Sequence, residues 1–167
     1  FSLAGSIIKQ PHDEYLAICL IDLDGFKQIN DKLGHQMGDK AIQITGNTII
    51  DSMHIEFREK WSFTERAIAE KLSFAGRLGG DEFIVLVRGK NGREDVEAFL
   101  TNVLQCLNEV KLGDLHGIKA SFGVTEILPG DNDIDTAYSQ ADAALYESKR
   151  AGKNQINFFQ KTGGGVS

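Results

Sequence analysis

The hydrophobic pattern divides the chain into short apolar runs typical of strands and longer amphipathic stretches typical of helices. Residues 14–21 are apolar at both parities, which is the pattern of a central strand buried on both faces. Short β-branched or aromatic runs predict four further strands. These runs are 72–75, 83–87, 118–125 and 155–159. We therefore expect 14–21 to lie in the middle of a sheet.

Helical spacing of apolar residues fills much of the chain between these runs. Phe26, Ile29 and Leu33 predict a short helix directly after the first strand. Asp39 is predicted to be the N-cap of a second helix. The apolar face of that second helix would be formed by Ile42, Thr45, Ile49 and Met53. Three later stretches are predicted to be helical, the first of them only in part, and they are 57–72, the segment after Asn91-Gly92, and about 134–150.

Acidic residues cluster beside two of the predicted strands. Asp22 and Asp24 follow the first strand with the same parity, so their side chains point to one side. Asp81 and Glu82 follow Gly79-Gly80 in a tight hairpin, whose glycines permit positive φ and leave the main chain open to a large anionic ligand. Carboxylates at such a bare turn indicate a bound cation. The alternative is an ordinary Gly-Gly hairpin with exposed acids.

Three lysines are candidates for binding phosphate. Lys27 lies on the first turn of the helix predicted after Gly25, where free N–H groups and the helix dipole favour an anion. Lys149 and Lys153 are four residues apart, so they share a face if the last helix continues through both. Two cations on one face can grip a polyphosphate. The alternative is that lysines simply favour helix C-termini.

Composition and charge narrow the class of protein. A chain of 167 residues with 41% hydrophobic and 25% charged residues fits one globular domain. The net charge of −6 argues against a broad nucleic-acid surface. No apolar run approaches the roughly 20 residues that span a bilayer, so we expect a cytoplasmic protein, or the cytoplasmic part of a membrane-anchored one, without membrane contact by this domain. Cys19 and Cys106 lie in apolar periodic segments and are predicted to be buried thiols.

The candidate residues together indicate nucleotidyl transfer. The sequence has no convincing nucleophile triad, Walker-type loop or zinc spacing. Asp22 and Asp81 would hold one or two Mg²⁺ ions, or Mn²⁺, on a triphosphate. Lys27, Lys149 and Lys153 would hold the terminal phosphates by charge-assisted hydrogen bonds.

Five motifs carry a resemblance to a known family. They are Asp22-Leu-Asp-Gly-Phe-Lys-Gln-Ile-Asn-Asp, Gly34-His-Gln-Met-Gly-Asp, Gly79-Gly-Asp-Glu-Phe, Ser121-Phe-Gly-Val and Ala141-Asp-Ala-Ala-Leu-Tyr-Glu-Ser-Lys-Arg-Ala-Gly-Lys-Asn. In this order and spacing the chain resembles the GGDEF domain of bacterial diguanylate cyclases over residues 14–160. The resemblance implies an α/β fold with a central, mostly antiparallel sheet flanked by helices, related to the nucleotidyl cyclases and the polymerase palm.

The resemblance also implies a reaction and partners. Two GTP molecules would become cyclic di-GMP and two pyrophosphates, with one GTP on each of two domains that meet face to face. A sensory or phosphodiesterase domain would accompany this one in the full-length chain. Residues 1–13 would form a lead-in, and 161–167 a tail or linker.

Site residues are implied position by position. Asp22, Asp81 and the Leu23 carbonyl match the metal ligands of the family, and Glu82 matches an acid that assists hydroxyl deprotonation or a second metal. The remaining matches are substrate contacts. These are Asn30 and Asp39 for guanine, Lys27, Lys149 and Lys153 for the terminal phosphates, and Phe26 and Arg77 as neighbouring contacts. A carboxylate can accept from both guanine N1–H and the 2-amino group, a pattern that adenine lacks.

Three departures from the family pattern bear on function. The lead-in keeps only Leu3 and Gly5 of the usual motif, and 55–72 contains an insertion centred on Trp61. Glu70 and Ser73 stand where the family has the Arg and Asp that bind inhibitory product, so we expect cyclic di-GMP not to bind there. The degenerate lead-in favours an alternative hypothesis, a catalytically silent GTP-binding regulatory module, beside the hypothesis of an active cyclase.

Overall fold

The computed structural model describes residues 15–60, 74–89, 91–128, 130 and 133–160. Its strands are β1 (Tyr15–Leu23), β2 (Phe74–Gly79), β3 (Glu82–Gly89), β4 (Lys111–Leu112), β5 (Leu115–His116), β6 (Ala120–Ile127) and β7 (Ile156–Phe158). Its helices are α1 (Phe26–Leu33), α2 (His35–Lys60), α3 (Arg93–Asn108) and α4 (Ile134–Arg150). The lead-in 1–13, positions 61–73 with the centre of the predicted insertion, and the tail 161–167 lie outside the described residues.

A five-stranded sheet with the order β2-β3-β1-β6-β7 forms the middle of the fold. Every neighbouring pair is antiparallel except β6 and β7, which run parallel. The prediction that the first strand is central is therefore confirmed, as is the mostly antiparallel α/β fold. The short hairpin of β4 and β5 was not predicted, because strands of two residues leave no periodic signal.

The two faces of the sheet are covered by different helices. One face packs under α2 and α3, and residues of odd number on β1, such as Cys19 and Ile21, belong to that core. The other face packs under α4, and residues of even number on β1, such as Ile18 and Leu20, belong to the second core. Burial on both faces explains why the β1 sequence is apolar at both parities.

The prediction that Asp39 caps the second helix was wrong. Helix α2 begins at His35, and Asp39 is an exposed residue near its start. Gly34, with φ 94°, ends α1 by donating its N–H to the Asn30 carbonyl at 2.9 Å. A single glycine is enough to redirect the chain here because it adopts a conformation that other residues avoid. The predicted buried face of α2 is confirmed. That face includes Ile42, Thr45, Ile49 and Met53.

The two cysteines differ in burial, so the prediction for Cys106 was wrong. Cys19 is fully buried in β1, whereas Cys106 is exposed on α3, and both thiols are free. The buried stripe of α3 passes through Val103 and Leu107, and Cys106 lies beside this stripe with its side chain exposed. Burial also raises the pKa of the Cys19 thiol, which further lowers its reactivity.

A thiol-reactive reagent should therefore distinguish the two cysteines. We expect one thiol per chain to react rapidly in the native protein and both to react in denaturant. The number of reacted thiols is measured from the coloured thiolate that an aromatic disulfide reagent releases. The variant Cys106→Ser should remove the rapid native reaction. Rapid reaction of both thiols in the native wild-type protein would contradict this assignment.

None of the helices in the described part of the chain is long and apolar enough to cross a membrane.

Candidate active site

Asp22 lies at the end of the central strand, on the face that α4 covers. It continues the even parity of Leu20, whose side chain packs under α4. In the strand register Asp22 stands opposite Glu82 of β3 on one side and Ser121 of β6 on the other. Strand parity therefore brings two carboxylates from neighbouring strands to one edge of the sheet.

The β2–β3 hairpin presents Asp81, the third acid at this edge of the sheet. We call the group of Asp22, Asp81 and Glu82 the acidic edge. Gly79 and Gly80 have φ of 144° and 53°, which confirms the positive φ predicted for both glycines. The turn is fastened by Arg77, whose Nε donates to the Gly80 carbonyl at 2.8 Å. The Leu23 N–H donates to the Asp81 carbonyl at 3.1 Å, which holds the turn against the end of β1. Asp81 therefore lies beside the acidic end of the central strand.

Lys149 of α4 forms an ion pair with Asp22. Its Nζ lies 2.5 Å from Oδ2 of Asp22. Burial raises the pKa of Asp22, and although the ion pair lowers this pKa, the nearby charge of Asp81 raises it again. Burial by itself lowers the pKa of Lys149, but the hydrogen bond and the charge of Asp22 outweigh burial and raise it. The edge thus carries more negative charge than Lys149 alone compensates.

Glu82 shares this electrostatic environment. Burial raises the pKa of Glu82, and the charge of Asp22 raises it further. The Tyr138 hydroxyl on α4 donates to Oε1 of Glu82 at 3.4 Å. Glu82 is therefore held on the α4 side of the edge rather than turned to open solvent.

Asp24 has a different environment from Asp22, although the two have the same parity. Only 6% of the Asp24 side chain is exposed, against 18% for Asp22. Its carboxylate accepts from the Ser121 hydroxyl at 2.8 Å and from the Asn154 N–H at 2.8 Å. Nζ of Lys149 is farther away, at 3.8 Å. The protein thus supplies hydrogen-bond donors to the Asp24 carboxylate, whereas the Asp22 carboxylate is more exposed at the edge of the sheet.

The candidate guanine contacts lie on α1 and α2, which pack together. The Asn30 carboxamide rests against Gly38, where a Cβ atom would overlap its oxygen. The ring of Phe26 also lies close to the same position. Asp39 is exposed one residue further along α2, and Lys27 is exposed on the first turn of α1. Of the two predicted guanine contacts, Asn30 therefore lies against Gly38 in space, and Asp39 follows Gly38 in the sequence.

Lys149 and Lys153 do not share a helical face, because the last helix does not continue through both lysines, which was the condition for a shared face. Helix α4 ends at Arg150, and Lys153 has a φ of 67° in the turn that follows. This turn is nevertheless adjacent to the acidic edge, because the N–H of the next residue, Asn154, bonds to Asp24.

Comparison with known proteins is consistent with this arrangement. Residues 3–57 and 66–155 match the family described as "Diguanylate cyclase, GGDEF domain". The chain belongs to the GGDEF family. The gap at 58–65 in the match falls within the segment where the sequence predicts an insertion.

Individual relatives of this GGDEF domain cover most of it. It is 32% identical over 151 residues to the biofilm architecture maintenance protein MbaA of Vibrio cholerae, covering 89% of this chain and 18% of that protein. It is 33% identical over 138 residues to the diguanylate cyclase DgcP of Escherichia coli, covering 81% of this chain and 36% of that protein. The chain therefore spans only a fraction of the length of these curated relatives.

A solved structure is similar to this GGDEF domain in both fold and sequence. It is the active GGEEF domain of a diguanylate cyclase from Vibrio cholerae, with a TM-score of 0.69 and 27% identity. The alignment covers 89% of this chain and 85% of that one.

The acidic edge of this GGDEF domain suits a magnesium ion that is shared with a substrate. Among the described residues, no group of three or more His, Cys, Asp or Glu side chains could hold a metal ion alone. Mg²⁺ is commonly bound through one or two carboxylates plus substrate phosphates rather than in an all-protein cage. Asp22 and Asp81, with their excess negative charge, supply that kind of ligand set.

Sequence reasoning missed several residues that shape the site. Ser121 and Asn154 support Asp24, and Tyr138 supports Glu82. Ser121 and Asn154 lie inside recognisable motifs, but their contacts with Asp24 join positions 97 and 130 residues apart. Spacing along the chain gives no signal for contacts of that length.

Proposed function

We propose that this chain is the catalytic domain of a diguanylate cyclase, which condenses two GTP molecules into cyclic di-GMP and two pyrophosphates. The observation that carries the proposal is the meeting of Asp22 and Asp81 at one sheet edge, with the ammonium of Lys149 on Asp22. The names of its curated relatives support the same activity. Each domain would bind one GTP, and two domains would meet for the reaction.

The acidic edge would hold the triphosphate. Asp22, Asp81 and the Leu23 carbonyl would bind Mg²⁺, which when bound would neutralise charge on the triphosphate and on the departing pyrophosphate. Lys149 already lies at this edge, so its ammonium could pass from Asp22 to a phosphate oxygen without a large movement. Lys27 and Lys153 would add charge-assisted hydrogen bonds to the terminal phosphates.

The chemical step is a displacement at phosphorus. The 3′-oxygen of one GTP would form a bond to the α-phosphorus of the GTP on the other domain, and the bond from that phosphorus to the bridging oxygen would break. Pyrophosphate leaves with the electron pair of the broken bond. Glu82, which lies beside Asp22 and is hydrogen-bonded by Tyr138, would accept the proton of the 3′-hydroxyl directly or through water.

The proposed domain is 14–160, accompanied in the full-length protein by a sensory or phosphodiesterase domain. It would act in the cytoplasm, where GTP is available.

The variant Gly38→Ala tests the guanine contacts. The new methyl group would displace the Asn30 carboxamide, while the helix itself gains a residue of higher propensity. We expect GTP affinity to fall about tenfold and the unfolding temperature to change little. Calorimetric titration with GTP and thermal unfolding measure the two quantities. Unchanged affinity would place guanine away from Asn30.

A concentration series of the purified domain tests the proposed function directly. With GTP and Mg²⁺ present, cyclic di-GMP and pyrophosphate should rise faster than linearly with protein, because the active species is a dimer. The variant Asp81→Ala should form neither product, and chelation of Mg²⁺ should stop the wild-type reaction.

The silent regulatory module predicts a different outcome. GTP would bind in a Mg²⁺-dependent way, but no product would form at any concentration, even when the domain is fused to a dimerising coiled coil. That result would replace the cyclase proposal with the regulatory one.

A further inference from the structure

The turn after α4 holds two consecutive residues other than glycine in the left-handed conformation. Lys153 has a φ of 67° and Asn154 a φ of 51°. Asparagine enters this region comparatively easily, whereas lysine does so rarely because its Cβ approaches the following carbonyl oxygen. A lysine therefore keeps this conformation only where neighbouring contacts fix the turn.

Asn154 supplies those contacts through its side chain. Its Nδ2 donates to Oδ1 of Asn108 at 2.9 Å, and its Oδ1 accepts from Nδ2 of Asn108 at 3.1 Å. The same oxygen lies 3.3 Å from the Ala120 nitrogen, which donates to it. The carboxamide thus ties the turn to the end of α3 and to the start of β6.

The main chain of Asn154 adds a third link. Its N–H donates to Oδ2 of Asp24 at 2.8 Å, next to the acidic edge. One residue earlier, Lys153 donates its N–H to the Ser148 carbonyl at 2.9 Å and accepts from Nε2 of Gln155 at 3.2 Å. Both backbone groups of Lys153 are occupied in this way, while its side chain is exposed.

We propose that Asn154 is a positioning residue that acts through Lys153, holding this lysine where its ammonium can bind the terminal phosphates of GTP. This inference rests on the proposed function. Asn154 itself has no charge and its carboxamide is engaged within the protein. Its effect on nucleotide binding should therefore exist only while Lys153 carries an ammonium group.

A double-mutant cycle tests this dependence. The probe is α,β-methylene GTP with Mg²⁺, in which the bond that would break is replaced, and affinity is measured by calorimetry. The variant Asn154→Gly keeps the left-handed conformation accessible and removes the carboxamide. We expect it to weaken binding about fivefold or more in the wild-type background and less than about twofold in the Lys153→Ala background.

A second variant guards against misfolding of the turn. Asn108→Ala removes the partner of the Asn154 carboxamide from α3 without altering the turn sequence, and it should show the same dependence on Lys153. Steady-state kinetics of Asn108→Ala should show a raised KM for GTP with a smaller change in kcat. Equal weakening in both backgrounds, or none in either, would overturn the inference and assign Asn154 a structural role only.

Failure of the proposed function gives a separate result. If the wild-type domain does not bind the analogue at all, the proposed function fails and this inference fails with it. If the wild-type domain binds but the cycle shows no coupling, only the positioning role is overturned.

Discussion

Replacing Asp22 with asparagine should reduce cyclic di-GMP formation by about a hundredfold to a thousandfold. Asparagine keeps the shape of the side chain but not the charge that would hold a cation on the triphosphate. Burial and the charge of Asp81 raise the pKa of Asp22, which means that these two effects disfavour its charged form in the folded protein. The fold should therefore tolerate a neutral side chain at this position. Lys149 would lose its ion pair with Asp22 but would keep Asp24 at 3.8 Å and is one-third exposed, so the free energy of unfolding should change by about 1 kcal/mol or less.

Asp24→Asn is the informative comparison for this variant. The Asp24 carboxylate accepts from both Ser121 and Asn154, whereas a carboxamide has a single acceptor oxygen, so at least one of these hydrogen bonds would be lost or reversed. We expect Asp24→Asn to lower the free energy of unfolding by about 1–3 kcal/mol. Asp51→Asn, at an exposed position of α2, should change neither activity nor stability.

Initial rates and urea unfolding of the three variants separate the two roles. Activity of Asp22→Asn within about threefold of wild type would contradict the role proposed for Asp22 in binding metal and phosphate. Equal stability of Asp24→Asn and the wild-type protein would contradict the structural role of Asp24.

Gly123→Ala should cause the largest loss of stability, about 3 kcal/mol. A Cβ at position 123 of β6 would lie 2.7 Å from the Leu145 Cα and would also overlap the Ala141 carbonyl oxygen. These are backbone atoms of α4, so no side-chain rotation can relieve the overlap. Helix α4 would have to move away from the sheet, and it would carry Lys149 away from Asp22.

Gly46→Ala is the control, since it makes the same substitution inside helix α2 rather than in strand β6. A Cβ at position 46 would meet the Phe83 ring at 3.7 Å, which is an ordinary contact. Because Gly46 lies inside α2, alanine should stabilise the domain by about 0.5–1 kcal/mol. Urea unfolding measures both variants. A Gly123→Ala protein as stable as the wild type would show that α4 can shift without loss of packing.

The Gly123 contact also explains the position of Lys149. Helix α4 approaches β6 closely, and the Ser148 hydroxyl donates to the Phe122 carbonyl at 2.7 Å. Lys149 is the next residue, so this packing sets the height of its ammonium over the sheet edge. Stability and nucleotide binding should therefore decline together in Gly123→Ala. In Asp22→Asn, by contrast, function should decline while stability changes little.

Local pattern alone was sufficient for the elements that carry the acids. The two-sided apolar run of β1 placed Asp22 at the end of a central strand, and Gly79-Gly80 marked the hairpin that presents Asp81. The bounds of α4 also agree with its periodicity. These features depend on residues close in sequence, whose backbone preferences and side-chain period are written directly in the chain.

Only the tertiary structure showed that Asp22 and Asp24 have different environments and that Lys153 lies in a left-handed turn. The parity that the two acids share is a local property, but their difference arises from Ser121 and Asn154, which are distant in sequence. Periodicity predicted where α4 ends, but it carries no information about the contacts that shape the turn after the helix. The sequence determined which chemical groups reach the sheet edge, and long-range packing decided which of them the protein satisfies itself and which it leaves open to a ligand.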